Sequence, residues 1–425
     1  MPTPTAPPVR VAELDLAHPG ELHRPGHRTP YRPTGPTLAL VRSAGHPLGT
    51  VTADADRPDR LHAALYAAAR QRFGARSAAR EDADGAPDPL VSVVVCTHDR
   101  PDLLVRCLDS LLRGGYPSLD VIVVDNAPAD DTVRQLLPAR YGDRVRYLRE
   151  PVAGLARARN RGLAAARGGI CAFADDDLIL DEHWVPALAA GFRAAPGTAC
   201  VTGLVMPAEL DTRAQLLLER YSGYGKGFAP RDYTLRTRTG DPLHPFATGR
   251  LGTGANMAFR TGVLRALGGF DPATGTGTPA YGGEDLLAFL LVLAAGHTVS
   301  YRPDALVWHP HRRALDTLPP QAFGLGAGFG AYLAAAVRRR PRLLAGLLPL
   351  LPRGLWRTAH RGAGPAGVGD LGVPSWADDP LLRALRRREL LGLLYGPIGY
   401  LRSLRAQRRT DRQRYSGCPS EGARR

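Results

Sequence analysis

The run VSVVVCTHDRPDLLVRCLDSLL at residues 91–112 decides the fold. Its first seven residues form a continuous stretch rich in β-branched side chains, the pattern of a strand covered on both faces in a parallel sheet. The PDLLVRCLDSLLR that follows has helical spacing. Outward from there the alternation continues: strand LDVIVVD (119–125), helix around DDTVRQLL (130–137), strand VRYLRE (145–150), helix AGLARARNRGLAAAR (153–167) and strand GICAFAD (169–175). Strands alternating with helices predict an α/β fold with a doubly wound sheet. Ligands in such sheets bind at the carboxyl ends of the strands. Three of these strands end in candidate ligand groups: Thr97, Asp99 and Arg100; Asp125 and Asn126; and Asp175, Asp176 and Asp177.

The segment FADDDL (173–178) sets three consecutive carboxylates just past a buried strand. Their mutual repulsion raises one or more pKa values unless a cation is present. A hard divalent cation, Mg²⁺ or Mn²⁺, held by one or two carboxylates together with substrate phosphates, relieves the repulsion. The alternative is an acidic helix cap, since Asp near a helix start is stabilising in itself. Further on, YGGEDLLAFLL (281–291) places Glu284 and Asp285 after two glycines at the opening of an apolar helix, where a simple cap is again the alternative. A carboxylate so placed is suited to take a proton from an attacking hydroxyl when burial or a neighbouring acid lifts its pKa.

Together, VSVVVCTHDRPDLLVRCLDSLL, VIVVDNA (121–127) and FADDDL resemble the nucleotide-binding half of glycosyltransferase family 2, which has the GT-A fold. GTGANMAFR (252–260), LGGFDPATGTGTPAYGGEDLLAFLLVLAAGH (267–297) and VWHPHR (307–312) resemble its acceptor half. The resemblance covers residues 90–313, with the motifs in order. It implies a GT-A-like (Rossmann-like) doubly wound sheet and an inverting transfer of a sugar from a nucleotide-sugar donor to an acceptor hydroxyl. It implies that Thr97, Asp99 and Arg100 line the base and ribose pocket, that Asp125 and Asn126 contact the base or ribose, and that Asp175 and Asp176 also face the donor. The family's D-x-D maps onto Asp175 and Asp177, with Asp176 an alternative principal contact, and His309 completes the metal site. The family's E-D motif makes Asp285 the catalytic base and Glu284 an acceptor contact or support for it. Gly254 and Asn256 are expected at the acceptor. His311, two residues beyond His309, is a weaker candidate, and Lys226, the one lysine, stands in a loop-like stretch.

Composition bounds the rest. With 44% hydrophobic and 22% charged residues the chain reads as globular. The five cysteines, Cys96, Cys107, Cys171, Cys200 and Cys418, are odd in number and have no metal-site spacing, which favours a reducing compartment. No signal-peptide pattern opens the chain, so the expected location is cytoplasmic, peripheral at the inner face of the cell membrane. The most apolar stretch, 318–337, is broken by four glycines and two prolines and reads as buried or interfacial rather than spanning. From Ala331 onward nineteen arginines face six acids, so most of the net +15 lies in the tail. Leucine and arginine clusters alternate there, the pattern of helices on an anionic membrane surface, with a packed subdomain as the competing reading. The aromatic interleaving of a nucleic-acid binder is missing, so no nucleic acid is expected.

The expected organisation is a flexible lead-in (1–36), a small α+β hairpin-helix unit (37–75), a linker (76–89), the catalytic domain (90–316), a basic helical C-terminal region (317–415) and a disordered tail (416–425). The acceptor is expected to be a cell-surface glycan, a glycolipid or other lipid-linked acceptor, or a small-molecule natural product. Two other functions compete: a nucleotidyltransferase, which wants a glycine-rich basic loop where CTHDRPD stands, and a silent sugar-binding scaffold, for which the retained acids are superfluous.

Overall fold

The computed structural model describes residues 8–74, 88–195, 197–237, 239, 241–343, 345, 348–350 and 379–416. The expected linker falls almost wholly outside the described residues, as do Cys418 and all of the expected tail but its first residue.

The catalytic sheet begins with β6 (Val91–Thr97), every residue of which is buried. Helix α2 (Pro101–Arg113) starts at a proline, which needs no partner for its missing N–H at that position. Then come β7 (Leu119–Asn126), α3 (Thr132–Tyr141), β8 (Val145–Glu150), α4 (Leu155–Ala165), β9 (Ile170–Asp175), the short β10 (Ile179–Leu180) and α5 (Trp184–Ala194). The second half comprises β11 (Thr198–Pro207), α6 (Arg213–Ser222), β12 (Arg231–Tyr233), β13 (Asn256–Arg260), α7 (Thr261–Ala266), α8 (Glu284–Ala294) and β14 (Thr298–His309).

Among the described residues these strands make one nine-stranded sheet, ordered β10-β14-β11-β13-β9-β6-β7-β8, with β12 on β14. β6 pairs in parallel with β7 on one side and β9 on the other, so the chain reverses its direction of winding at β6. That is the topological switch point, where a crevice opens between the strand ends. Both faces are covered: Leu104, Leu108, Leu137 and Leu188 of α2, α3 and α5 pack on one, Leu163 and Phe289 of α4 and α8 on the other. The alternation in the sequence is thus realised as an α/β, doubly wound sheet.

The lead-in expectation is overturned. β1 (Arg10–Asp15), β2 (Leu22–His23), β3 (Pro30–Tyr31), β4 (Thr37–Ser43) and β5 (His46–Ala53) form a second sheet, ordered β3-β2-β1-β4-β5, with α1 (Pro58–Phe73) against it. β1 runs parallel to β4 and buries Val11, Ala12 and Leu14, so the unit has its central strand before residue 36. This unit is tied to the catalytic sheet by buried Arg42, whose guanidinium joins Glu13 to Asp181, and by the His46–Asp304 contact at 3.0 Å.

Among the described residues two α-helices follow the sheet, α9 (Leu318–Arg339) and α10 (Pro380–Ser416). They pack through glycines: a Cβ on Gly326 would meet the Glu389 carbonyl, and one on Gly396 would meet backbone atoms of Ala327, Gly330 and Ala331. No described helix is long and apolar enough to cross a membrane.

Candidate active site

The acidic run sits at the mouth of the β6–β9 crevice, and its three carboxylates have three different environments. Asp175 Oδ1 accepts from Arg159 Nη2 at 3.0 Å, and burial pushes its carboxyl up to about 6. Asp176 is buried and accepts from the Thr97 hydroxyl at 2.8 Å, with Arg100 3.4 Å away. Burial raises its pKa as well. Asp177 has one oxygen, Oδ1, that is buried and makes no hydrogen bond, and His309 Nε2 stands 3.9 Å from it. Arg100 lies 3.6 Å from the Asp177 carboxylate.

His309 is oriented from behind. Its Nδ1 meets His311 Nδ1 at 3.0 Å, and His311 Nε2 meets the Glu219 carboxylate at 2.8 Å. Glu219 and His311 are both buried. The carboxylate accepts from the His311 Nε2–H, so His311 Nδ1 is left to accept from His309 Nδ1–H. A neutral His309 then presents the lone pair of Nε2 toward Asp177, as a metal ligand must.

The four residues expected at a metal do not converge. Among the described residues no group of three or more His, Cys, Asp or Glu side chains stands ready to hold an ion. Arg159 engages Asp175 Oδ1, and Thr97 and Arg100 engage Asp176, while the orphaned Oδ1 of Asp177 and the lone pair of His309 face each other. Two protein donors suit a hard divalent cation that takes its remaining ligands from substrate phosphates and water.

Asp125, fully buried at the end of β7, accepts from the Tyr147 hydroxyl at 3.1 Å while its Oδ1 has no partner. Burial pushes its carboxyl up. An unpaired buried acceptor costs free energy until something donates to it. Asp99, at φ 53°, is exposed and caps the Ala129 N–H at 3.0 Å.

At the other end of the crevice Gly283, at φ 96°, turns the chain into α8. Glu284 is buried, and its Oε1 accepts from Arg159 Nη1 at 2.8 Å. Burial, with Asp285 beside it, pushes its carboxyl up to about 7 despite that ion pair. Asp285 is half-buried in a cleft of about 2150 Å³. The Gly254 N–H donates to its Oδ2 at 2.7 Å, and the Leu286 N–H to its Oδ1 at 2.8 Å.

Two expected contacts are corrected. Asn126 lies buried, donating to the Glu150 and Val152 carbonyls and accepting from the Gly154 N–H, so its amide fixes the loop after β8 rather than meeting a ligand. Asn256 is fully buried, accepts from Trp184 Nε1 and donates to the Leu204 and Ala305 carbonyls. It joins β11, β13, β14 and α5 and faces no acceptor. Gly254 acts through its backbone, placing both Asp285 and Arg159, whose Nη2 donates to the Gly254 carbonyl at 3.0 Å.

The profile of Glycosyl transferase family 2 matches residues 92–266, from β6 to the end of α7. The succinoglycan biosynthesis protein ExoM of Rhizobium meliloti is 31% identical over 259 residues, spanning 57% of this chain and 75% of that protein. The chain belongs to glycosyltransferase family 2. A pre-mycofactocin glycosyltransferase of Mycobacterium tuberculosis is 28% identical over 305 residues, 70% of this chain. The aligned region spans 58% of that relative's length. Among solved structures, a mannosyltransferase of Pyrobaculum calidifontis in complex with GDP-Man and Mn²⁺ aligns at a TM-score of 0.46 and 20% identity, covering 78% of this chain and 94% of that one.

Within this family-2 chain sequence reading missed Arg159. Buried on α4, it holds Asp175 and Glu284 at once and lies over the Phe270 ring, 5.7 Å from its centroid. Glu219 was missed likewise. Neither has a local signal: Arg159 is one arginine of four in ARARNRGLAAAR, and Glu219 is 92 residues from the histidine it meets.

Proposed function

We propose that the protein is an inverting glycosyltransferase that moves a sugar from a nucleotide-sugar donor to an acceptor hydroxyl in the cleft at Asp285. The observation that carries this reading is the pair of ion pairs made by Arg159, 3.0 Å to Asp175 at the end of β9 and 2.8 Å to Glu284 at the start of α8. One buried guanidinium sets the donor end and the acceptor end of the crevice in a fixed relation.

The orphaned Asp125 oxygen receives a base or ribose donor group, Thr97 holds Asp176 toward the donor, and Arg100 faces the phosphates from the rim. Asp177 and His309 are the residues that would hold a divalent cation, Mn²⁺ or Mg²⁺, which when bound would supply charge neutralisation to the phosphates of the departing nucleotide. The acceptor oxygen forms its bond to the anomeric carbon as the bond to the phosphate oxygen breaks, and its proton passes to the Asp285 carboxylate. Single displacement inverts the anomeric carbon. Two backbone N–H groups fix Asp285 in orientation, and Glu284 behind it supports the loop or meets acceptor hydroxyls.

The C-terminal region docks on an anionic membrane surface, which places the enzyme at the inner face of the cell membrane. Leu391, Leu394, Ile398 and Leu401 are each more than half exposed on α10, at spacings of three, four and three residues, among exposed arginines.

Asp285→Asn tests the chemistry. Donor and metal binding are expected to stay near wild type while transfer falls by roughly 10²-fold or more, the order expected for loss of a general base. Equal loss of binding and turnover removes Asp285 from that role.

A further inference from the structure

The cleft that contains Asp285 runs on along α9, and its lining there changes character. Leu325, Phe329, Leu333 and Val337 recur every four residues on one face of the helix and all line the cleft, with Leu350 and Leu394. From Leu325 to Val337 the helix rises roughly 18 Å. A bound oligosaccharide needs hydroxyl partners along its length. A wall of hydrocarbon offers it none, whereas a linear apolar chain gains by leaving water for such a wall.

The groove also has an exit. Leu394 belongs both to the cleft lining and to the exposed apolar stripe Leu391, Leu394, Ile398 and Leu401 of α10. Exposed Arg387, Arg388, Arg402 and Arg405 flank that stripe on the same helix. An apolar helix face set among cations complements an anionic bilayer.

We propose that the acceptor is a membrane lipid. Its head group reaches Asp285, and its apolar chain lies in the groove along α9, leaving past Leu394 into the bilayer. This rests on the glycosyltransferase reading and adds the substrate class.

The test uses full-length protein and a hexadecyl phosphate bearing a mid-chain diazirine, carried in phosphatidylcholine/phosphatidylglycerol vesicles, with labelled residues mapped by mass spectrometry. Labelling is expected on α9 at Leu325, Phe329, Leu333 and Val337, and is expected to fall to background in Leu325→Glu, an exposed site, and in Phe329→Ser. Labelling confined to the outer stripe of α10, or absent, overturns the groove. Labelling equally strong from probe dispersed without vesicles overturns the membrane source and assigns the groove to a soluble apolar acceptor. Metal-dependent stabilisation by UDP- or GDP-sugars is read in the same preparations. If no donor stabilises the protein while the groove is labelled, the enzymatic reading fails and the acceptor role with it. If donors stabilise it while the groove stays unlabelled, the lipid proposal alone fails.

Discussion

At the scale of single residues the site turns on which polar atoms are already engaged. His309 has the lone pair of Nε2 to offer because Glu219 and His311 hold the tautomer behind it. Supports of this kind typically contribute 10- to 100-fold in metal affinity. Glu219→Gln is therefore expected to weaken Mn²⁺ binding by roughly that factor while the fold is retained, read by the electron paramagnetic resonance signal of free Mn²⁺. Unchanged affinity would show that the buried chain plays no part in the metal site. The crowding of carboxylates past β9 is visible in the sequence because the three acids are contiguous, whereas their separate partners, Arg159 for Asp175 and Thr97 for Asp176, are not. Asn126 and Asn256 were misread for the opposite reason: a polar residue in a glycine-rich stretch looks the same whether it faces a ligand or a buried carbonyl. Arg159 and Glu219 were invisible because their partners are joined to them only by the fold.

At the scale of elements, β6, β7 and β9 were legible because short, nearly continuous apolar runs bounded by turn residues fit strands covered on both faces, and β8, half-buried and charged, was legible from its place in the alternation. β1 was not, since its six residues sit among prolines and its neighbours β2 and β3 are two residues each. Its burial is supplied by β4 and by the Val9–Leu210 bridge to the catalytic domain. The C-terminal helices carry a signal that the leucine–arginine alternation obscured: glycines at 326, 330, 392 and 396 let the α9 and α10 backbones approach. Gly326→Ala should push these helices apart, because its Cβ would meet the rigid Glu389 carbonyl rather than a flexible side chain. Overpacking of this kind costs about 1–3 kcal/mol. Denaturant unfolding checks it against Gly262→Ala, where a Cβ meets nothing within 4 Å and little change is expected. Equal stability of the two variants would contradict the close packing.

At the scale of the molecule, five acids, Asp175, Asp176, Asp177, Glu284 and Asp285, gather around Arg159 and Arg100, and this imbalance sets a pH dependence. Burial pushes the Glu284 carboxyl up to about 7 and that of Asp175 to about 6. A carboxyl whose pKa is higher in the folded than in the unfolded state binds more protons when folded, so stability falls as pH rises between the two values. The metal-free protein is thus expected to lose thermal stability from about pH 4.5 to about pH 7. Glu284→Gln should flatten that slope whatever its absolute stability, as unfolding scans across the interval will show. A slope unchanged by the substitution would place the titration elsewhere. The same crowding of acids is what a bound divalent cation would relieve. The most direct measurement is therefore thermal stabilisation by a panel of UDP- and GDP-sugars, with Mn²⁺ and with chelator, for wild type, Asp177→Ala and Asp285→Asn, since a ligand that binds the native state raises its stability by mass action. At least one donor is expected to stabilise wild type and Asp285→Asn only when metal is present, and to leave Asp177→Ala unmoved. Stabilisation that needs no metal, or that survives in Asp177→Ala, would contradict the assignment of the acidic run as the metal and donor site.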